Sequence, residues 1–462
     1  MDLMDTWEQT LGAGPLLGIA AAGIALILIL IIKFKLHAFI TLVLVSILTA
    51  IATGIPLGAV YDVSMQGFRA TLGDVGILVG LGAMLGKLIE HSGGAQVLAD
   101  TMIRRFGEKR APLALGVAAL FLGFPMFFDA GLVVMLPIIF AVARRLNGPI
   151  LLYAMPTAVA FSVMHVFVPP HPGPVAASTF FGTNLGLLII AGILVALPTF
   201  YVTGYLWGKF VATKYPFTTV AGAIFGRETE EIKNPPKVGT VIAMLLLPMA
   251  LIFLNTGVDF ATKAGLVTGE EMWAEAFTML GKSGVALLIS VLVAIPVLGT
   301  RRGTTGTALE KLLDSALGPI ASVVFITGAG GMYGGVLRSS GIGDALADVL
   351  NGIGIPVILA VYLVAAILRI AQGSATVALT TAAGLMAPAV LAGGYSDMQI
   401  VAITIACAAG SVIASHVNDS GFWLVGRLFG MDVKTTLRTW TVQQTFESLL
   451  AFVLAAALFL IF

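Results

Sequence analysis

The chain has 462 residues, 58% of them hydrophobic and 11% charged, with a net charge of +1. A soluble domain carries about a quarter charged residues, so this composition excludes a water-soluble protein of this size. The near-zero net charge gives no support for nucleic-acid binding; the single Cys407 excludes an internal disulfide and argues against a thiolate metal cluster.

The N-terminal stretch MDLMDTWEQT is acidic where a secretory signal would be basic, so the first apolar run is expected to be a retained helix. Uninterrupted spans are predicted at 14–32, 36–54, 75–92, 184–208, 238–256, 284–299, 318–337 and 439–462. Residues 150–182 and 398–429 are too long and too interrupted for one straight helix. The first is broken by Pro169-Pro170-His171-Pro172-Gly173-Pro174, the second by Ser415-His416-Val417-Asn418-Asp419-Ser420-Gly421. Together these give about ten full spans. Two more apolar stretches, 111–142 and 355–392, have polar or glycine-bearing middles at 124–131 and 372–376. Their arms fall short of the roughly 20 residues a crossing needs, so both are predicted as re-entrant hairpins. Residues 209–237 form a polar linker between a first half at 1–208 and a second at 238–462.

The halves are related. Residues 80–100 and 328–348 match at a constant offset of 248, at Gly80/Gly328, Gly82/Gly330, Met84/Met332, Gly86/Gly334, Ser92/Ser340, Gly93/Gly341, Leu98/Leu346, Ala99/Ala347 and Asp100/Asp348. So biased a composition would match by chance at roughly one position in ten. The shared Asp100 and Asp348 read as a structural cap or turn. With the N-terminus outside, most of the 25 Lys and Arg residues fall in cytoplasmic loops, and the C-terminus lies outside too. The halves then run in opposite senses. The expected fold class is an all-α polytopic membrane protein with two inverted-topology repeats, each holding a re-entrant hairpin and a broken transmembrane helix. Two such halves are the mark of a secondary transporter, with the site where they meet.

Unpaired backbone is tolerated at membrane depth only where it lines protein or water. Four breaks occur at matching places, and they supply hydroxyls, amides, imidazoles and free helix N-termini. A helix N-terminus carries about half a positive charge, which suits a carboxylate. The inferred ligand is a small polar anion, and the hydroxyls and amides suit a polyhydroxylated one.

FDAGLVVMLPIIFAVARR, SVMHVFVPPHPGPVAAS, RIAQGSATVALTTAAGLMAP and SHVNDSGFWLVGRLFGM resemble the gluconate:H+ symporter (GntP-type gluconate permease) family. The likeness spans almost the whole chain. It implies a bacterial inner-membrane permease moving gluconate or related sugar acids with protons. It further implies kinship with the ion-transporter superfamily, whose members often form homodimers and work by an elevator motion. The coupling ion expected is the proton, with sodium the alternative, and no other cofactor is implied.

Each candidate residue has two readings. Asp129, at the first hairpin tip, is a proton carrier or a cap for the hairpin. Asp419 is a second acid for proton coupling, or a hydrogen-bond acceptor within its own break. His165, His171 and His416 all lie at breaks, where imidazole can carry protons or hold an unwound carbonyl. His165 and His416 are assigned to coupling, and His171 to the substrate site. Arg369 clamps the substrate carboxylate or pairs with Asp129 or Asp419. Gly373, Ser374, Thr376, Asn418 and Ser420 are assigned to substrate contacts. Lys87 and Glu90, one turn apart, read as a local ion pair. No HExxH, Cys pair or acidic cluster supports a zinc site. The rival functions are the same fold carrying another hydroxy acid or a D-amino acid, and a gated anion channel; an enzyme is the weakest. The expected partners are a small anionic substrate, membrane lipid and a second copy of the chain.

Overall fold

The computed structural model describes residues 7–215, 234–263, 265–342, 345, 355–416 and 419–462. Every regular element among them is helical. The first half runs α1 (Ala13–Ile32), α2 (Ala38–Ala52), α3 (Leu57–His91), α4 (Gly94–Phe106), α5 (Ala111–Leu122), α6 (Phe128–Arg145), α7 (Ile150–Phe167), α8 (Pro172–Phe181), α9 (Leu185–Thr199) and α10 (Trp207–Lys214). The second runs α11 (Val238–Lys263), α12 (Met272–Gly281), α13 (Ser283–Ala294), α14 (Gly306–Ser339), α15 (Val357–Gln372), α16 (Ala375–Ala392), α17 (Asp397–Val412), α18 (Ser420–Leu428), α19 (Val433–Thr436) and α20 (Val442–Ile461). Three π-helical segments, Phe200–Leu206, Ile295–Gly299 and Leu437–Thr441, interrupt the long helices.

The order of elements recurs. The 35-residue α3 answers to the 34-residue α14, and the pair α5–α6 to α15–α16. The broken α7–α8 answers to α17–α18, and a last long helix with a π-helical segment closes each half. The matched segments of the sequence include the C-terminal turns of α3 and α14.

Some boundaries differ from the sequence expectation. Helix α3 starts at Leu57 rather than near 75, and α14 at Gly306 rather than near 318. Their first turns carry Asp62, Gln66 and Arg69, or Glu310, Lys311 and Asp314, so hydropathy hides a helix that continues past the apolar stretch. Helix α10 carries on to Lys214, which takes the start of the expected linker; residues 216–233 of that linker and Asp348 lie outside the described residues. Asp100 sits inside α4 rather than at a cap. The stretch between the expected spans 238–256 and 284–299 contains a helix, α12.

Among the described residues seven helical stretches are long and apolar enough to cross a membrane, with four shorter apolar helices beside them. The expected ten full spans are therefore not matched one for one. The expected run at 75–92 is not among the seven, and Ala13–Ile27 of α1, Phe39–Ala52 of α2 and Asp397–Val412 of α17 are among the shorter apolar helices.

Helices α7, α8 and α16 are almost wholly buried, whereas α11 and α20 keep most of their surface outward for lipid. The halves meet where α3 lies against α14. A Cβ on Gly67 would come within 2.3 Å of the Gly331 carbonyl oxygen, so the two backbones touch there. Small residues allow such approach in the bilayer, where van der Waals packing drives association.

Candidate functional site

Each break has a local cause. Val168 is extended (φ −120°, ψ 122°), as a residue before proline must be, and Pro169 and Pro170 offer no N–H to continue α7. Helix α15 ends at Gly373, which takes φ 84°, a left-handed conformation that glycine adopts without strain. Ser374 then caps α16 by accepting from the Val377 N–H. Helix α17 ends where Ile413 becomes extended and Ala414 takes φ 50°. Asp419 caps α18, accepting from the Gly421 N–H at 2.9 Å. Between α5 and α6, Pro125 interrupts the chain and Phe127 is extended (φ −62°, ψ 150°).

The four breaks border one cavity of about 330 Å³. This lies at the lower end of the roughly 300–1,000 Å³ found for small-molecule sites. Its wall includes first-turn residues of four helices: Asp129 of α6, Pro172 of α8, Thr376 of α16 and Gly421 of α18. Four positive helix ends thus meet around one space. Lys87 and Glu90 of α3 close another side and form the expected ion pair at 3.1 Å.

Arg369 is 3% exposed and lines the cavity. Of its two sequence readings the structure selects the internal pair: one nitrogen donates to Asp419 Oδ2 at 2.5 Å, another to the Gly373 carbonyl. The Arg369 Nε is buried and has no hydrogen-bond partner among the described residues. Asp419 also accepts from the Ser415 hydroxyl. That hydroxyl in turn accepts from Trp440 Nε1 at 3.0 Å. Asp419 thus acts as a hydrogen-bond acceptor within its break. Asp129 has no described hydrogen bond or ion pair and stands open on the cavity wall, near enough to Asp419 for the two charges to repel.

The histidines separate. His171 Nε2 lies 2.6 Å from the Gly123 carbonyl oxygen and must carry the proton there. In the neutral ring its Nδ1 is then an acceptor, so the His165 Nδ1, 3.2 Å away, donates to it. The His165 Nε2 is left as an acceptor for the Thr376 hydroxyl at 3.2 Å. These tautomers follow from the network. They leave Thr376 with oxygen lone pairs for a ligand hydroxyl. Phe127 packs on both rings, with centroids 5.9 and 5.8 Å away. His171 thus supports His165 from behind the wall. His416 is not on the wall; its Nε2 is 3.0 Å from the Ile370 carbonyl oxygen, where it ties α18's approach to α15. Asn418 lies outside the described residues, as does the side chain of Ser420, whose backbone opens α18. Among the described residues no group of three His, Cys, Asp or Glu side chains could hold a metal ion.

Sequence reasoning missed the other side of the cavity. Ser162, Trp440 and Gln444 line it, and behind them lies the fully buried Glu447. The signal was present as Gln443, Gln444, Glu447 and Ser448, which share one face of an otherwise apolar helix.

Residues 15–461 match the GntP family permease. The chain is 40% identical to the inner membrane permease YgbN of Escherichia coli over 93% of its own length and 95% of that protein. It is 37% identical to a gluconate permease of Bacillus subtilis (95% and 99% covered). With the Gnt-II system L-idonate transporter of Escherichia coli it shares 38% identity (94% and 96% covered). Two solved structures share the fold. The YdaH transporter of Alcanivorax borkumensis superposes with a TM-score of 0.61 at 17% identity, covering 87% of this chain and 88% of that one. Neisseria gonorrhoeae MtrF does so with a TM-score of 0.60 at 16% identity, covering 91% and 94%.

Proposed function

This chain belongs to the GntP family of permeases, and we propose on that basis that it imports gluconate or a related sugar acid together with protons. It is a multi-pass membrane transporter and not an enzyme. The observation that carries the substrate class is the meeting of four helix N-termini around one cavity. The N-termini suit a carboxylate, while Thr376 and Ser374 suit the hydroxyls of a polyol chain. Relatives named for gluconate and L-idonate favour a sugar acid over other anions.

Coupling follows from charge. Importing an anion against an inside-negative potential requires a cation alongside it. Asp129, open to the cavity and with no partner among the described residues, is the wall carboxylate we assign to carry the proton. Sodium is the alternative ion. We place both termini on the outer side of the bacterial inner membrane and take the working unit to be a homodimer. We also take the recurring helix order to reflect two inverted repeats, with the pairs α5–α6 and α15–α16 entering as re-entrant hairpins. In this scheme the broken helices move as an elevator against the long helices α3 and α14.

Competition against labelled-gluconate uptake in proteoliposomes tests the substrate. Unlabelled gluconate and L-idonate should compete, and D-amino acids should not. Equal competition by D-amino acids would overturn the sugar-acid reading.

A further inference from the structure

One acid takes no part in the scheme above. Glu447, on α20, is 0% exposed. Within an apolar span a carboxylate is costly unless its oxygens are satisfied. Ser162 Oγ lies 2.8 Å from Oε1, and Gln443 Nε2 and Gln444 Nε2 lie 2.8 and 3.0 Å from Oε2. None of the described ion pairs includes it.

The network is short of protons. Gln444 Nε2 has two N–H bonds but three acceptors within reach, Glu447 Oε2, Ser162 Oγ at 3.0 Å and Gln443 Oε1 at 2.8 Å. One more proton, on Glu447, would supply the missing donor. Two members of its shell, Ser162 and Gln444, are also on the cavity wall. The groups that hold the carboxylate are therefore groups that a ligand in the cavity would touch.

We propose that Glu447 is a protonation site linked to substrate binding through Ser162 and Gln444. When it is ionised, it holds their donors and repels an anion in the cavity. A proton from solvent, added to Oε1 and donated to the Ser162 Oγ, removes that charge and frees the Ser162 hydroxyl hydrogen and one Gln444 N–H for the ligand. Proton and anion thus favour each other's binding, as symport requires, and by linkage the effect is reciprocal. This inference rests on the proton-driven reading above.

Other titratable groups lie on the elements around α20. Helix α17 brings Asp397 and Cys407, and the π-helical segments bring Tyr201, Tyr205 and Arg438. Helix α7 brings Tyr153 and His165, and α15 brings Tyr362, which bonds Ser448 at 3.0 Å, and Arg369. Arg369 acts on Glu447 through space, but its guanidinium is committed to Asp419.

The test is gluconate affinity against pH, with proton uptake on binding measured in weakly buffered solution, for the purified protein. In the wild type, affinity should fall with rising pH as Asp129 and Glu447 each lose a proton, with up to two protons gathered per ligand. Glu447→Gln, a neutral isostere, should bind with a shallower pH dependence and gather one proton fewer than the wild type. In proteoliposomes it should concentrate substrate less steeply than the wild type. A Glu447→Gln protein that keeps the wild-type pH profile and proton uptake overturns the assignment. If that variant does not fold, Ser162→Ala serves. It removes one donor to the ionised carboxyl and should move the profile toward alkaline pH, whereas an unmoved profile counts against Glu447. Wild-type binding that is itself independent of pH defeats the proton-driven reading. A proton-linked wild type with an equally linked Glu447→Gln defeats only the role of Glu447.

Discussion

Arg369 donates to Asp419 at 2.5 Å, and this buried pair fastens the junction of α15 and α16 to the break between α17 and α18. Each partner also holds its own break: Arg369 through the Gly373 carbonyl, Asp419 through the Gly421 N–H. Removing one member of a buried pair leaves the other charge uncompensated, at a cost of about 3–5 kcal/mol. Arg369→Ala should therefore lower the thermal unfolding midpoint of the purified protein and abolish transport. Arg369→Lys keeps the charge but cannot span both acceptors, so it should retain more stability than transport. A wild-type midpoint for Arg369→Ala would show that the pair is not structural.

Thr376 joins the α16 N-terminus to His165 on the cavity wall. Thr376→Val keeps the shape of the side chain and removes the hydroxyl. The His165 Nε2 then loses its donor, and a ligand hydroxyl loses an acceptor. A hydrogen bond is worth about 1 kcal/mol net, and more where a buried partner is stranded, so substrate affinity should weaken about tenfold. Equilibrium binding checks this; an unchanged Kd would place Thr376 outside the ligand shell.

Gly67 allows α3 and α14 to touch through Gly331. Gly67→Ala places a methyl group against backbone that cannot swing aside. The two long helices must separate, and because they join the halves, the loss should appear as lower stability and slower transport, with substrate specificity kept. Thermal unfolding together with the competition pattern measures both.

Asp129 stands on the cavity wall with no described partner. Asp129→Asn should keep substrate exchange and reduce accumulation driven by a pH gradient toward the equilibrium ratio. Full accumulation by this variant would exclude Asp129 as the carrier.

The cavity's breaks were legible because they contradict their surroundings. Paired prolines before His171, Gly373 beside Ser374, and the polar run at Asp419 each interrupt apolar sequence. The pairing of Arg369 with Asp419 was one of two open readings, since spacing along the chain cannot say which acid lies across the break. The displacement of His416 from the cavity was not legible, because its target is a backbone carbonyl on another helix. Glu447 was missed for a different reason. Twenty apolar and polar positions average to a membrane span, and the average hides one polar face. The same averaging shortened α3 and α14, whose charged first turns look like loop to a hydropathy window.

The most direct test is uptake of labelled gluconate into proteoliposomes under an imposed inward proton gradient, with and without a protonophore. Accumulation above the equilibrium ratio, abolished by the protonophore, is the predicted result. Equilibration without accumulation, or accumulation indifferent to the protonophore, would contradict proton-driven symport.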